Sequence, residues 1–421
     1  MNNLPKALLL FLLLLSSTPL PGAENAAGPE AWPMFRGTAS GAGRSTVVLQ
    51  LPLKEHWNRR FEGGAFTATP VIYADTIYLG DLDGHFTALS LDTGKTLWQF
   101  DSSNSGFPSA AAVSTESEYP FVVVGDDLGV IRCLNTNSGK VVWDLSMEGE
   151  ISGGPTILHS SETPVVLVGS QDATLVCLQL TDGEVLWRHE IADQIRCSPT
   201  VATAEDGYRV FLAGCDSTLH ILDAKNGKTV AEIPLGGPTG TTPSISGSDV
   251  FFGTEGGIFF AVDYIQEKVR WQAGGDSQKP AYRSSATMAG NIVFVGSRGR
   301  AIEAFNKTDG SLCWRHPMRN RVDASPVSVR IIEEGASVEN PSGSVLVADA
   351  AGDIKLLRDH DGAPCWEFNA GGGFSGSPAV VRDRVVLASD DGVVWCFDTI
   401  KTDKTPNSFG LFSIPLYSFH F

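Results

Sequence analysis

The stretch ALSLDTGKTLW, Ala88–Trp98, decides the fold because the chain keeps repeating it. Copies stand at Cys133–Trp143 (CLNTNSGKVVW), Cys177–Trp187 (CLQLTDGEVLW), Ala261–Trp271 (AVDYIQEKVRW), Ala304–Trp314 (AFNKTDGSLCW) and Leu356–Trp366 (LLRDHDGAPCW). A weaker copy runs from Ile221 to Ala231, and a truncated one starts at Cys396. Trp57, Trp98, Trp143, Trp187, Trp271, Trp314 and Trp366 follow one another at intervals of 41, 45, 44, 84, 43 and 52 residues, with Ala231 filling the slot inside the double interval. A period of about 40 to 45 residues holding several short strands marks the blades of a β-propeller.

One repeat reads as four strands: Thr67–Ala74, Thr76–Gly80, His85–Leu91 and Thr96–Phe100. Each is short, rich in β-branched and aromatic residues, and bounded by turn residues. The turn before the last strand ends in Gly94, Gly139, Gly183, Gly227, Gly310 and Gly362, as a tight hairpin needing positive φ requires. The tryptophan falls on the outermost strand, where a neighbouring sheet would cover it. Burying an indole of more than 150 Å² contributes roughly 3 kcal/mol or more. The repeat at Cys396-Phe397-Asp398 has no Gly-x-x-x-Trp after it, whereas Trp57 has no strands before it. The segment His56–Phe61 is therefore expected to supply the missing outer strand. The expectation is an all-β fold: an eight-bladed β-propeller of four-stranded antiparallel blades, ring closed by the N-terminal strand. It would occupy residues 51–402, between a leader or linker at 24–50 and an irregular tail at 403–421.

Residues 1–23 read as an export signal, with Lys6 before an apolar run from Ala7 to Leu15 and small residues at Gly22 and Ala23. That run is too short to span a bilayer. The first cysteine is Cys133, so a lipoprotein is not expected. The expectation is a periplasmic or secreted, monomeric protein without a membrane span. A net charge of −17 with no basic cluster argues against nucleic acid and anionic membrane surfaces. Cys133, Cys177 and Cys396 share a slot that holds alanine in other repeats, and Cys313 and Cys365 share another, so they read as structural free thiols. The eight histidines show no i, i+2 or i, i+4 pairing, which leaves metal binding without support.

The A-x-D-x-x-T-G-x-x-x-W pattern resembles the tryptophan-docking repeat of the pyrroloquinoline quinone (PQQ)-type propellers, and Trp32-Pro-Met-Phe-Arg-Gly37 resembles the W-P-x-F-R-G opening of exported bacterial members. The likeness covers residues 32 to 400. It implies one of two branches: quinone-dependent alcohol and sugar dehydrogenases, or non-catalytic propellers similar to BamB, the accessory subunit of outer-membrane β-barrel assembly. The dehydrogenase branch implies a calcium ion under the quinone, a catalytic aspartate and usually an adjacent cysteine pair. No adjacent pair exists here. The expectation is a non-catalytic scaffold without a cofactor, with protein partners that include outer-membrane β-barrel assembly components. The alternatives are a small PQQ-dependent quinoprotein with calcium, and a ligand- or polysaccharide-binding propeller in which Trp395 would serve.

The candidate site lies where the innermost strands begin. Small-residue segments recur there, and their first positions (Thr67, Ser109, Ser152, Arg196, Gly240, Arg283, Asp323 and Ser375) would ring one mouth of the central channel. Arg196 and Arg283 are candidates for gripping an anionic ligand, since guanidinium forks match carboxylates. The structural alternative is that either arginine pairs with Asp323 and plugs the channel.

Overall fold

The computed structural model describes residues 28–159, 163–275 and 280–399. The expected export signal and the tail at 403–421 lie outside the described residues. Among the described residues every regular element is a strand, and the strands form eight sheets. Numbered from the first complete repeat, blade 1 runs outward from the axis through Val71–Tyr73, Thr76–Gly80, His85–Ser90 and Thr96–Asp101. Blade 8 comprises Ala379–Val381, Arg384–Ala388 and Val393–Thr399, and its outer strand is Leu53–Arg60, antiparallel to Val393–Thr399. The two ends of the ring are thus stitched inside one sheet, as the unmatched Trp57 and Cys396 required.

Strand alternation puts each tryptophan against the following blade. The indole Nε1–H of Trp57 donates to Leu91 O at 2.9 Å, Trp98 to Thr136 O at 2.7 Å, Trp143 to Leu180 O at 2.8 Å, and Trp187 to Ala224 O at 3.1 Å. Trp271, Trp314 and Trp366 repeat the bond to Lys307, Asp359 and Leu53. The six-membered ring of each indole but that of Trp366 lies on the turn glycine of the next blade. A Cβ added to Gly94, Gly139, Gly183, Gly227, Gly310 or Gly362 would stand between 2.4 and 2.8 Å from the nearest indole carbon. These glycines are therefore needed twice, for positive φ and for the approach of the ring.

Blade 4 tests that account. Its outer strand, Thr229–Pro234, carries Ala231 in place of the indole, and the corresponding turn of blade 5 carries Glu267 in place of glycine, still at φ 53°. Where no indole presses, a side chain is tolerated. The space is taken by Tyr264, whose ring meets Phe211 of blade 4 edge-on at 4.9 Å.

Two expectations need correcting. The innermost strand of blade 1 is Val71–Tyr73, not Thr67–Ala74. Pro70 lacks an N–H for a ladder, so Thr67–Pro70 runs as extended irregular backbone along the channel. The leader, read as a linker, is packed into the ring. Trp32, fully buried, exchanges both backbone bonds with Ile72 of blade 1; Pro33 O accepts from Val113 of blade 2, Ala39 O from Val201 of blade 4, and Ser40 O from Ile245 of blade 5. Arg44–Gln50 then adds to the inner strand of blade 7, Val327–Ile332, as a parallel fifth strand. The leader so closes the end of the channel opposite the mouth, and that side is here called the leader face.

Arg36 is buried within this plug, and burial pushes its guanidinium down to about 9. Nη2 donates to Ala286 O at 2.6 Å, while Nε and Nη1 have no partner among the described residues. Ala286 O also accepts from Ser244 Oγ at 2.7 Å, so it does not depend on the arginine.

Two stability predictions follow from this packing, each read by urea unfolding. Gly139→Ala should destabilise by about 2 to 3 kcal/mol, combining a strained φ of 66° with overpacking of Trp98, whereas Glu267→Gly should be neutral or stabilising by up to about 1 kcal/mol. Equal effects at the two positions would refute the indole-contact account. Arg36→Met should leave stability at neutral pH unchanged or raise it, because the lowered folded pKa means the charged form is penalised below about pH 9 and relieved above it. A loss of more than about 1 kcal/mol would show that the buried cation is a net stabiliser.

Candidate functional site

The structure brings all eight first-position residues, including Arg196, Arg283 and Asp323, onto one cavity of 170 Å³ on the ring axis, floored by Phe35 of the leader. It is a blind cup, open at the mouth and shut by the leader. Its wall is held by a belt that sequence reading did not foresee. The third residue of each small segment is a hydroxyl in six blades: Thr69, Ser198, Thr242, Ser285, Ser325 and Ser377. Five of the six amides donate to the hydroxyl of the next blade: Ser198 N to Thr242 Oγ1 and Thr242 N to Ser285 Oγ at 3.0 Å, then Ser285 to Ser325, Ser325 to Ser377 and Ser377 to Thr69 at 2.9 Å. Blades 2 and 3 carry Ala111 and Gly154 instead. The signal was present as a serine or threonine recurring in one slot; the inner segments lie close enough for that slot to bond sideways.

Asp323 does not pair with Arg196 or Arg283, which overturns the plug expected from sequence. It accepts from Arg298 Nε at 2.9 Å and Nη2 at 3.0 Å, and from Arg321 Nε at 2.9 Å. Burial opposes its ionisation, but hydrogen bonds and charge from these two guanidiniums outweigh burial and hold its carboxyl below the ordinary value. Arg283 Nε donates to Glu255 Oε1 at 2.8 Å, and Arg196 Nε to Gln194 Oε1 at 2.9 Å. The reason is local reach. Glu255 and Arg298 sit on the second-to-third strand turns of blades 5 and 6, each beside the first-position charge of the next blade. Opposite charges in one turn slot, each facing its complement one blade on, are the signal that would have revealed this.

The other acidic groups near the mouth also serve the fold. Asp81 Oδ1 accepts from the amides of Asp83 at 3.0 Å and His85 at 2.8 Å, and Asp126 and Asp349 cap their turns the same way. Asp390 accepts from Ser375 N at 2.9 Å; burial raises its pKa despite these bonds. Among the described residues no group of three His, Cys, Asp or Glu is placed to hold a metal ion. The mouth does not fit a calcium-bound quinone: its aspartate is committed to two arginines, and 170 Å³ falls below the roughly 300 Å³ at which ligand pockets begin. Among the described residues no histidine or thiol lines the cup beside a hydroxyl to activate it.

All seven cysteines are unpaired. Cys133, Cys177 and Cys396 are buried, and burial pushes the last two thiols up to about 12, so they pack as small hydrophobes. Of the two cysteines that precede an outer-strand tryptophan, Cys313 is exposed, whereas Cys365 is half-buried and donates from Sγ to Leu356 O at 3.2 Å. Trp395 is not an exposed platform for sugar: it stacks on Phe397 at 6.1 Å and meets Phe368 edge-on at 5.4 Å between blades 7 and 8.

The mouth face also carries an unexpected apolar feature. The tips of the second-to-third turns are polar, small or glycine in blades 3 to 8, with the side chain of Cys215 half-buried, whereas blades 1 and 2 present Leu82 and Leu128, 42% and 63% exposed. Among the described residues no helix is long and apolar enough to cross a membrane.

Comparison with known proteins places this geometry. The curated BamB of Yersinia pestis is 26% identical over 166 residues, 36% of this chain and 39% of that protein, so the match spans well under half of the relative. The crystal structure of BamB from Moraxella catarrhalis superposes with a TM-score of 0.62 at 18% identity, over 82% of this chain and all of that one (100%). The quinohemoprotein alcohol dehydrogenase of Comamonas testosteroni superposes at 0.69 with 13% identity, over 89% of this chain and 81% of that one, a likeness of fold alone. The sequence profile of the family described as outer membrane protein assembly factor BamB matches residues 38–128, 127–205, 202–330 and 298–404. With that profile running through all eight blades, the chain belongs to the BamB family of PQQ-like repeat propellers.

Proposed function

We propose that this propeller is an exported, non-catalytic scaffold that binds protein partners of outer-membrane β-barrel assembly through the mouth face of blades 1 and 2. The observation that carries the reading is the pair Leu82 and Leu128, large apolar side chains held out on adjacent turn tips. Their backbones are fixed by buried Asp81 and Asp126, so the leucines are presented on rigid turns and little ordering entropy is lost on binding. What favours a contact here is the pairing of two large apolar side chains on neighbouring turns of one face, rimmed by Asp83 and Asp127. Membership of the BamB family supports this kind of partner. The commitment of Arg283 to Glu255 and of Asp323 to Arg298 and Arg321, and of the belt hydroxyls to the next blade, supports binding over catalysis.

The test is in-cell crosslinking of the tagged protein followed by mass spectrometry, comparing wild type with the Leu82→Ser/Leu128→Ser double variant. Barrel-assembly subunits or barrel precursors should be captured by wild type and reduced by about tenfold or more in the variant, with unfolding stability within about 0.5 kcal/mol per substitution. Undiminished capture would move the contact elsewhere. Reduction of a dye by an alcohol or sugar with added calcium and PQQ would overturn the non-catalytic reading.

A further inference from the structure

On the leader face, between the inner strands of blades 4 and 5, lies a groove of 610 Å³, inside the range of small-ligand and peptide sites. Its existence follows from the interrupted repeat: with Ala231 in the indole slot, the turn of blade 5 sends Tyr264 across the seam, and Tyr208 stands on the other side. The half-buried rings of Tyr208 and Tyr264 give it apolar surface over the buried Val201 and Ile245, and Arg44 and Lys307 give it positive charge. Among the described residues no carboxylate lines it, on a chain whose net charge is −17. Lys307 is anchored, donating from Nζ to Ser246 Oγ at 2.8 Å. Arg44 is exposed, and its guanidinium has no ion pair or hydrogen bond among the described residues.

The backbone adds a second, independent pointer. The leader already reads these strands as an extended segment would, since Ala39 O accepts from Val201 N at 2.7 Å and Ser40 O from Ile245 N at 3.0 Å. Alternation along Thr200–Ala204 turns the amide of Thr203 to the same open side as that of Val201, while Ala202 and Ala204 pair with Arg209 and Gly207. The edge that the leader uses stays open for one more step, inside the groove.

We infer that this groove binds an extended peptide segment in which acidic and apolar side chains alternate. The peptide backbone adds to the edge at Thr203, the apolar side chains rest on the rings of Tyr208 and Tyr264, and a carboxylate meets Arg44. Main-chain bonding supplies affinity and the side-chain pockets supply selection, as in other strand-addition sites. The site is on the face opposite the leucine pair and does not depend on the scaffold reading.

The probe is the carboxamide-ended pentapeptide Val-Glu-Val-Glu-Val with an N-terminal fluorophore, titrated against the full exported chain by fluorescence anisotropy, beside the lysine counterpart Val-Lys-Val-Lys-Val. Saturable binding of the glutamate peptide is expected, about tenfold or more tighter than the lysine peptide and weakened about tenfold or more by Arg44→Glu. Arg44→Glu should keep the wild-type melting temperature, which separates lost contact from lost fold. Amide exchange at Thr203 should slow when the glutamate peptide is bound. Absence of saturable binding, equal binding of the two peptides, indifference to Arg44→Glu, or protection that spares Thr203 would each overturn the inference. Failure here with in-cell capture intact would leave the mouth-face scaffold standing.

Discussion

The approach of one indole to one glycine, blade after blade, is the contact on which the rest depends. A tryptophan on an outer strand covers apolar area and bonds a carbonyl of the next sheet, and it can do both only where that sheet's turn has no Cβ. The constraint acts across the seam, so the residue that permits docking is in a different repeat from the residue that docks. Six such contacts, the indole bond of Trp366 to Leu53 and the hydroxyl belt inside them leave the ring two layers of sideways bonding. Individual hydrogen bonds of this kind contribute only about 1 kcal/mol each, and their regular spacing lets them act together with burial of the indoles.

Blade architecture was legible because a repeat shows its constraints several times over. The period, the turn glycines, the closure between Trp57 and Cys396 and the eight residues ringing the mouth all came from positions that recur in register. What stayed hidden were contacts that do not recur. The leader occurs once, so nothing in its spacing showed that Trp32 and Arg36 are buried in the channel end. The partner of Asp323 could not be chosen among several arginines by composition, because it is set by which turn lies within reach: Arg298 and Arg321 are beside it, and Arg196 and Arg283 are satisfied by nearer groups. The inner strand of blade 1 was drawn too long because small β-tolerant residues read as strand even where a proline and the crowded axis prevent a ladder.

These local facts give the ring two unlike faces. At the mouth, Arg283 and Asp323 are paired with opposite charges, Arg196 is held by Gln194, and the belt hydroxyls bond the next blade, so little remains for chemistry, while two leucines stand out where the other turns carry polar or small groups. On the leader face, the one seam without an indole opens into a groove with uncompensated positive charge. Departures from the repeat are thus where binding surface arises, since the repeating positions are already spent on holding the blades together.

The central claim, that partners meet the mouth face at blades 1 and 2, is tested most directly by a photoreactive residue introduced in turn at Leu82, Leu128, Gln171, Glu255 and Ala350, the turn tips around the ring. The account predicts protein adducts in cells concentrated at positions 82 and 128 and falling away around the ring. Adducts of equal yield at all five positions, or confined to 255 and 350, would contradict it.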